Sequence, residues 1–210
     1  MQESYTLEKF NSGRTVVGDA ITELAKTDDR IWILTPDIGW GCADFKAAYS
    51  GRFIDTGIAE QCVVGVSAGL ALEGSIPFII GMMPFMSMRD LEQVRTDLCY
   101  QNLPVRIIAN YSGLTGNGGS THYAMEDMAL FSSLVNMTVC APADPEQLWA
   151  NYQRLITGPY PFLLVYQQTT RQTVLWCAAI LAMNLLYAWL VWRLGGNCRK
   201  KRNVGLLFRS

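Results

Sequence analysis

The sequence predicts an α/β fold: a doubly wound, mainly parallel sheet of about six strands with helices on both faces, followed by a hydrophobic C-terminal helix. Three observations carry this expectation. Short β-rich apolar runs alternate with amphipathic stretches up to Tyr166, the pattern of strands joined by crossover helices. Half of the 210 residues are apolar, enough for one good-sized core. Then the alternation stops, and Thr173 to Trp192 runs for twenty residues without a charge.

In chain order, the amphipathic stretch 16–25 predicts a helix, and the apolar run Ile31–Leu34 a strand. A short helix over Phe45–Tyr49 and a strand over Arg52–Asp55 follow. Glu60–Leu72 is a helix apolar nearly all round, which marks it as packed rather than exposed. Pro77–Ile80 and Val105–Asn110 read as strands, with a helix over Met88–Tyr100 between them. After a glycine-rich loop come a helix over Tyr123–Leu134 and a strand over Thr138–Cys140. Asp144-Pro145-Glu146 is a strong helix start, because an Asp accepts from orphan amides and a proline at the first helical position loses no needed donor. That helix is expected over Pro145–Leu155, before a last strand, Phe162–Tyr166.

Composition narrows the chemistry. All 18 acids lie at or before Glu146 with nine of the 17 bases, so residues 1–146 carry −9 and the remainder +8. The acidic part has no basic patch with interleaved aromatics, which argues against nucleic-acid binding. His122 is the single imidazole, so a multi-histidine metal site within one chain is excluded. The six cysteines are far apart, without a C-x-x-C pair, and Met1–Phe10 is too polar for a secretory signal; reduced thiols in a cytoplasmic protein are expected.

Three segments fall at the expected ligand edge, the carboxyl ends of the strands. Glu60 opens its helix, where the helix dipole alone accounts for an acid. Its neighbours are apolar or small, however, and such surroundings should raise the carboxyl pKa and suit it to a heterocycle nitrogen. Phe85, preceded by Met82 and Met83, either grips a flat ring or packs in the core. The loop from Gly113 to His122 is neither a P-loop nor a dinucleotide fingerprint. It is a mobile surface turn or a close backbone approach to a ligand that presents His122.

These segments, taken together, resemble a known family. Arg52-Phe53-Ile54-Asp55-Thr56-Gly57-Ile58-Ala59-Glu60-Gln61, Pro84-Phe85-Met86-Ser87-Met88-Arg89, the run 91–97 and Thr121-His122-Tyr123-Ala124-Met125-Glu126-Asp127 are similar to the pyrimidine-binding domain of transketolases. The likeness continues through Asn136–Val139 and Ala141–Asp144, and is greatest to the separate C-terminal subunit of split transketolases, with 1-deoxy-D-xylulose 5-phosphate synthases as a sister family. It implies thiamine diphosphate held between two domains. Glu60 would contact the aminopyrimidine N1′, Phe85 would stack on the ring, and Met82 and Ile58 would complete the cofactor-binding set. His122 would reach substrate oxygens as the second catalytic residue. Proton sharing at N1′ would favour the imino tautomer that deprotonates the thiazolium, and the cofactor would serve as electron sink for cleavage of a sugar phosphate.

The departures from the family are specific. Gly118-Gly119-Ser120-Thr121-His122 replaces the family's Asp-Gly-Pro-Thr-His, so an acid that reads donor stereochemistry is missing. Met82 stands where many members have a second aromatic. Tyr166-Gln167-Gln168 lacks the arginine expected on the substrate phosphate, and a neutral amide does not replace a guanidinium. Nothing resembles the diphosphate-binding domain, so ligands for Mg2+ are expected on a partner chain, an N-terminal diphosphate-binding transketolase subunit in a homo- or hetero-oligomer.

Residues 1–167 therefore form the pyrimidine-binding domain, and residues 168–210 an atypical apolar helix with a basic tail. Residues 173–192 are long enough for a membrane anchor, but Arg199-Lys200-Lys201-Arg202 would then put the domain on the wrong side for cytoplasmic substrates. An interface helix is a second reading. A shifted reading frame after about Gln168 explains most, since similarity ends within about twenty residues of the last acid while three of six tryptophans crowd into 17 residues. The expected function is ketol transfer by the pyrimidine-binding subunit of a split enzyme, inactive alone. The competing reading is a truncated, inactive transketolase-like chain, membrane-tethered if residues 173–192 span a bilayer.

Overall fold

A computed structural model describes residues 13–39, 41–114, 118–143, 147–148 and 158–166. The expected C-terminal helix, the 168–210 tail and nearly all of the expected 145–155 helix lie outside these residues. The described chain runs α1 (Gly13–Ala25), β1 (Ile31–Thr35), α2 (Ala43–Ala48), a 3-10 turn (Ser50–Arg52), β2 (Phe53–Asp55), α3 (Glu60–Leu72), β3 (Ile76–Met82), α4 (Met83–Met88) and α5 (Leu91–Gln93). A π-helical turn (Val94–Cys99) continues α5, before β4 (Arg106–Asn110), a 3-10 turn (Ser120–His122), α6 (Asp127–Ser132), β5 (Thr138–Cys140) and β6 (Phe162–Tyr166).

All six strands form one parallel sheet in the order β2-β1-β3-β4-β6-β5. A sheet covered on both faces needs side chains that alternate between two cores, and these strands supply them. Ile31, Ile33, Phe78, Ile80, Ile108, Phe162 and Leu164 point to the face covered by α1 and α2, where Val17, Ile21 and Phe45 meet them. Leu34, Ile79, Ile107 and Leu163 point to the other face, packed by Val63, Val64, Met83, Val94, Leu98 and Phe131 from α3 to α6. The expected doubly wound architecture is thus present.

Two helix boundaries differ from expectation. The helix expected over Met88–Tyr100 is three consecutive pieces that begin at Met83, because β3 turns straight into α4 with Pro84 in the first turn, where its missing N–H costs nothing. A Cβ at Gly81 would lie 2.6 Å from Met86 Cγ, so only glycine lets α4 fold back this tightly. The helix expected over Tyr123–Leu134 shrinks to Asp127–Ser132, since Ala124 is held instead in a two-way backbone bridge with Gly113.

In parallel register, Thr35 pairs with Asp55, Met82 with Asn110, and Asn110 with Tyr166, so the carboxyl ends of the strands share one edge. From β1 the chain crosses outward to β2 and then returns to β3 on the other side of β1. A sheet that reverses its winding in this way opens a crevice at that edge.

Candidate active site at the carboxyl edge

Three connections leave this edge and carry the candidate residues. Between β2 and α3 the loop is fixed by Asp55, whose Oδ1 accepts from the backbone N–H of Asp37 at 3.1 Å and of Gly57 at 3.0 Å. Gly57 takes a left-handed φ of 67°, and the Thr56 N–H bonds to the Thr35 carbonyl across the sheet at 3.0 Å. This anchoring aims Glu60, the first residue of α3, inward, where only 4 % of it is exposed.

The apolar surroundings expected for Glu60 are not what the fold provides. Arg89 reaches across from the end of α4, and its Nη1 donates to both Glu60 oxygens at 3.0 Å. The same guanidinium lies over the Phe85 ring, 4.2 Å from its centroid. Phe85 in turn meets the His122 imidazole edge-on, with centroids 5.2 Å apart. Glu60, Arg89, Phe85 and His122 therefore form one continuous row from the buried edge outward.

His122 is positioned by its own loop. Tyr111, with φ of 62°, turns the chain out of β4, and the buried Ser112 hydroxyl donates to the Asp127 carboxylate at the start of α6. The Gly113–Ala124 bridge closes the loop base. Thr121 Oγ1 lies 3.0 Å from His122 Nδ1, which leaves Nε2 as the ring nitrogen available to a ligand. A Cβ at Gly118 would come within 2.3 Å of the imidazole, so this glycine is the space the ring occupies.

Met82 ends β3 beside this row and is half-buried. Ile58 is 75 % exposed at the rim. The structure thus brings Glu60, Phe85 and His122 together and leaves Ile58 facing outward.

Two neighbours had no assigned role in the sequence. Arg89 was legible in principle, since Phe85 and Arg89 stand four apart on one helix, the spacing at which a guanidinium meets a ring. Asp90 is fully buried, and neither carboxylate oxygen has a hydrogen-bond partner. Burial pushes its carboxyl up to about 8; its own amide lies near enough to offset part of this without bonding, and the Glu60 charge adds to the rise. The Ser87 hydroxyl, one turn earlier, is also buried without a partner.

The arrangement accepts a flat cationic donor: the guanidinium stacks on Phe85 and donates to Glu60 simultaneously. A protonated aminopyrimidine has the same three attributes of plane, charge and donor, so the residues present fit the pyrimidine half of thiamine diphosphate. Among the described residues there is no cluster of three or more His, Cys, Asp or Glu side chains able to hold a metal ion.

The sequence model of the family described as transketolase, pyrimidine binding domain, matches residues 11–172. A 1-deoxy-D-xylulose-5-phosphate synthase of Clostridium perfringens is 38 % identical over 153 residues, covering 69 % of this chain and 24 % of the relative. That of Aquifex aeolicus is 39 % identical over 157 residues, 72 % of this chain and 24 % of its own. The chain spans about a quarter of the length of these curated relatives. Among solved structures, a split gene transketolase described as an inactive beta4 tetramer superposes with a TM-score of 0.68 at 34 % identity, over 75 % of this chain and 52 % of that one. Transketolase from Campylobacter jejuni shares the fold, with a TM-score of 0.70 at 20 % identity over 79 % of this chain and 27 % of its own.

Proposed function

Because the chain belongs to the transketolase pyrimidine-binding domain family, whose members are thiamine-dependent, we propose that it is the pyrimidine-binding subunit of a split transketolase-like enzyme. Its reaction is ketol transfer between sugar phosphates in carbohydrate metabolism. The observation that carries the reading is the row in which Glu60, Phe85 and His122 converge at the carboxyl edge.

Each residue has a defined task. Glu60 holds or shares a proton at the pyrimidine N1′, and its near-complete burial excludes competing water. Phe85 supplies a stacking face. His122 stands one ring further out, where its Nε2 donates to a substrate oxygen as charge develops. When bound, thiamine diphosphate supplies the carbanion-stabilising centre that no protein side chain offers.

The diphosphate and its Mg2+ fall to a second subunit in this proposal. Support for a partner comes from α3, whose outward face carries Cys62, Gly65, Val66, Gly69 and Leu72 in one exposed apolar stripe, while Ile58 adds to it at the rim of the site. An exposed stripe of small and apolar residues, flanked by Gln61 and Glu73 at its two ends, suits close packing against another chain. The proposal also puts the domain in the cytoplasm, where thiamine diphosphate and sugar phosphates are found. One observation favours an inactive chain instead: Gly118 stands where the family carries its stereochemistry-reading acid.

The test is reconstitution with the diphosphate-binding subunit of a split transketolase. Glu60→Ala should lower ketol transfer about a hundredfold or more while the complex still assembles. Unchanged turnover in that variant refutes the catalytic assignment, and a wild-type complex that binds cofactor without turning over any ketose establishes the inactive reading.

A further inference from the structure

Arg89 makes, within this chain, the two contacts that the proposed function assigns to the aminopyrimidine ring. Its guanidinium lies 4.2 Å from the Phe85 centroid and donates to both oxygens of Glu60. A ring stacked on Phe85 with a nitrogen on Glu60 needs that same volume, so the two cannot be present together. We propose that Arg89 is a placeholder that occupies the pyrimidine position until the cofactor displaces it, so that loading is an exchange of one flat cation for another. This rests on the reading of Glu60 and Phe85 given above.

The chemistry requires some occupant there. Glu60 is buried, with the equally buried and unpartnered Asp90 carboxyl near it, and a carboxylate without a counter-charge in such a place is strongly unfavourable. In the empty site, the guanidinium relieves Glu60; in the loaded site, the ring nitrogen does. The hold is also built to be released. Both bonds come from the single nitrogen Nη1 rather than from the two-pronged fork that makes arginine pairs strong. The Arg89 side chain is 47 % exposed, so it has a way out to solvent without any movement of the backbone. Among the described residues its guanidinium makes no other hydrogen bond or ion pair.

Such an exchange lowers apparent affinity by the fraction of molecules in which the site is self-occupied. It follows that removing the guanidinium should strengthen binding, the opposite of what deleting an ordinary ligand contact does. Thiamine is the appropriate probe, because it carries the aminopyrimidine but needs neither Mg2+ nor the partner's diphosphate site. Titrated calorimetrically into the full-length chain, it should bind Arg89→Ala about tenfold more tightly than wild type, and Arg89→Met likewise, since the stem remains but the charge and plane are gone. Glu60→Gln should weaken binding. Thermal melts of each variant confirm folding, and Arg89→Met carries the test should Arg89→Ala fail to fold. Equal or weaker binding in the arginine variants, with Glu60→Gln still impaired, overturns the placeholder and leaves the function reading intact. Unaltered binding in Glu60→Gln overturns both. A complete absence of binding in the arginine variants also overturns the placeholder, because an uncovered site should then take the ring.

Discussion

Asp90 is the costliest residue at the carboxyl edge. In the folded chain, burial pushes its carboxyl up to about 8, whereas the unfolded chain releases that proton near the ordinary value of 3.8. Between those two values the native state binds the extra proton, so stability falls as pH rises from about 4 to about 8 and levels off above. Asp90→Asn removes the charge while keeping the shape. It should be more stable than wild type by a margin that grows by roughly 1 kcal/mol for each pH unit between pH 5 and pH 8, as read from urea unfolding at the two pH values. A margin independent of pH would mean that Asp90 is not the titrating group. The convergence of Glu60, Phe85 and His122 at one edge was legible in the sequence because each stands in a short run that follows an expected strand. The Arg89–Glu60 pair was less so: the two are 29 positions apart and come from different helices, and only the fold brings them within 3.0 Å.

At the scale of elements, the turn from β3 into α4 decides where Phe85 and Arg89 stand. Gly81→Ala would push a methyl into Met86, a core side chain with no exposed surface, and should cost about 1–3 kcal/mol with loss of the Phe85 stacking geometry. A thermal melt combined with thiamine binding checks both effects. The same glycine explains why the helix start was misplaced: in the sequence Gly81-Met82-Met83-Pro84 reads as the end of a strand, and nothing local reveals that the backbone turns back at once. The strands were read closely because alternation between two apolar faces leaves a run of Val, Ile and Phe that no exposed segment carries. On α3, Val66→Asp places a charge in the middle of the outward apolar stripe without touching the buried Val63 and Val64. It should leave the melting temperature within a few degrees of wild type and reduce assembly with a diphosphate-binding subunit about tenfold or more, as measured by analytical ultracentrifugation.

For the whole molecule, the winding of the sheet places the site. Glu60, Phe85 and His122 arrive from the connections after β2, β3 and β4, and a parallel sheet puts all three connections at one edge. This much followed from the order of elements. What the order did not reveal was strand adjacency, above all that the last strand among the described residues is an interior one. β6 lies between β4 and β5, so among the described residues β5 touches the sheet through β6 alone. During synthesis, the amide and carbonyl groups along one side of β4 stay bare until Phe162–Tyr166 emerges, and β5 has nowhere to dock. The sheet is therefore sealed by its final five residues, and any event that rewrites the coding sequence is tolerable to this domain only once Tyr166 has been spelled out. Family likeness runs on to residue 172, so the whole six-stranded sheet lies within it.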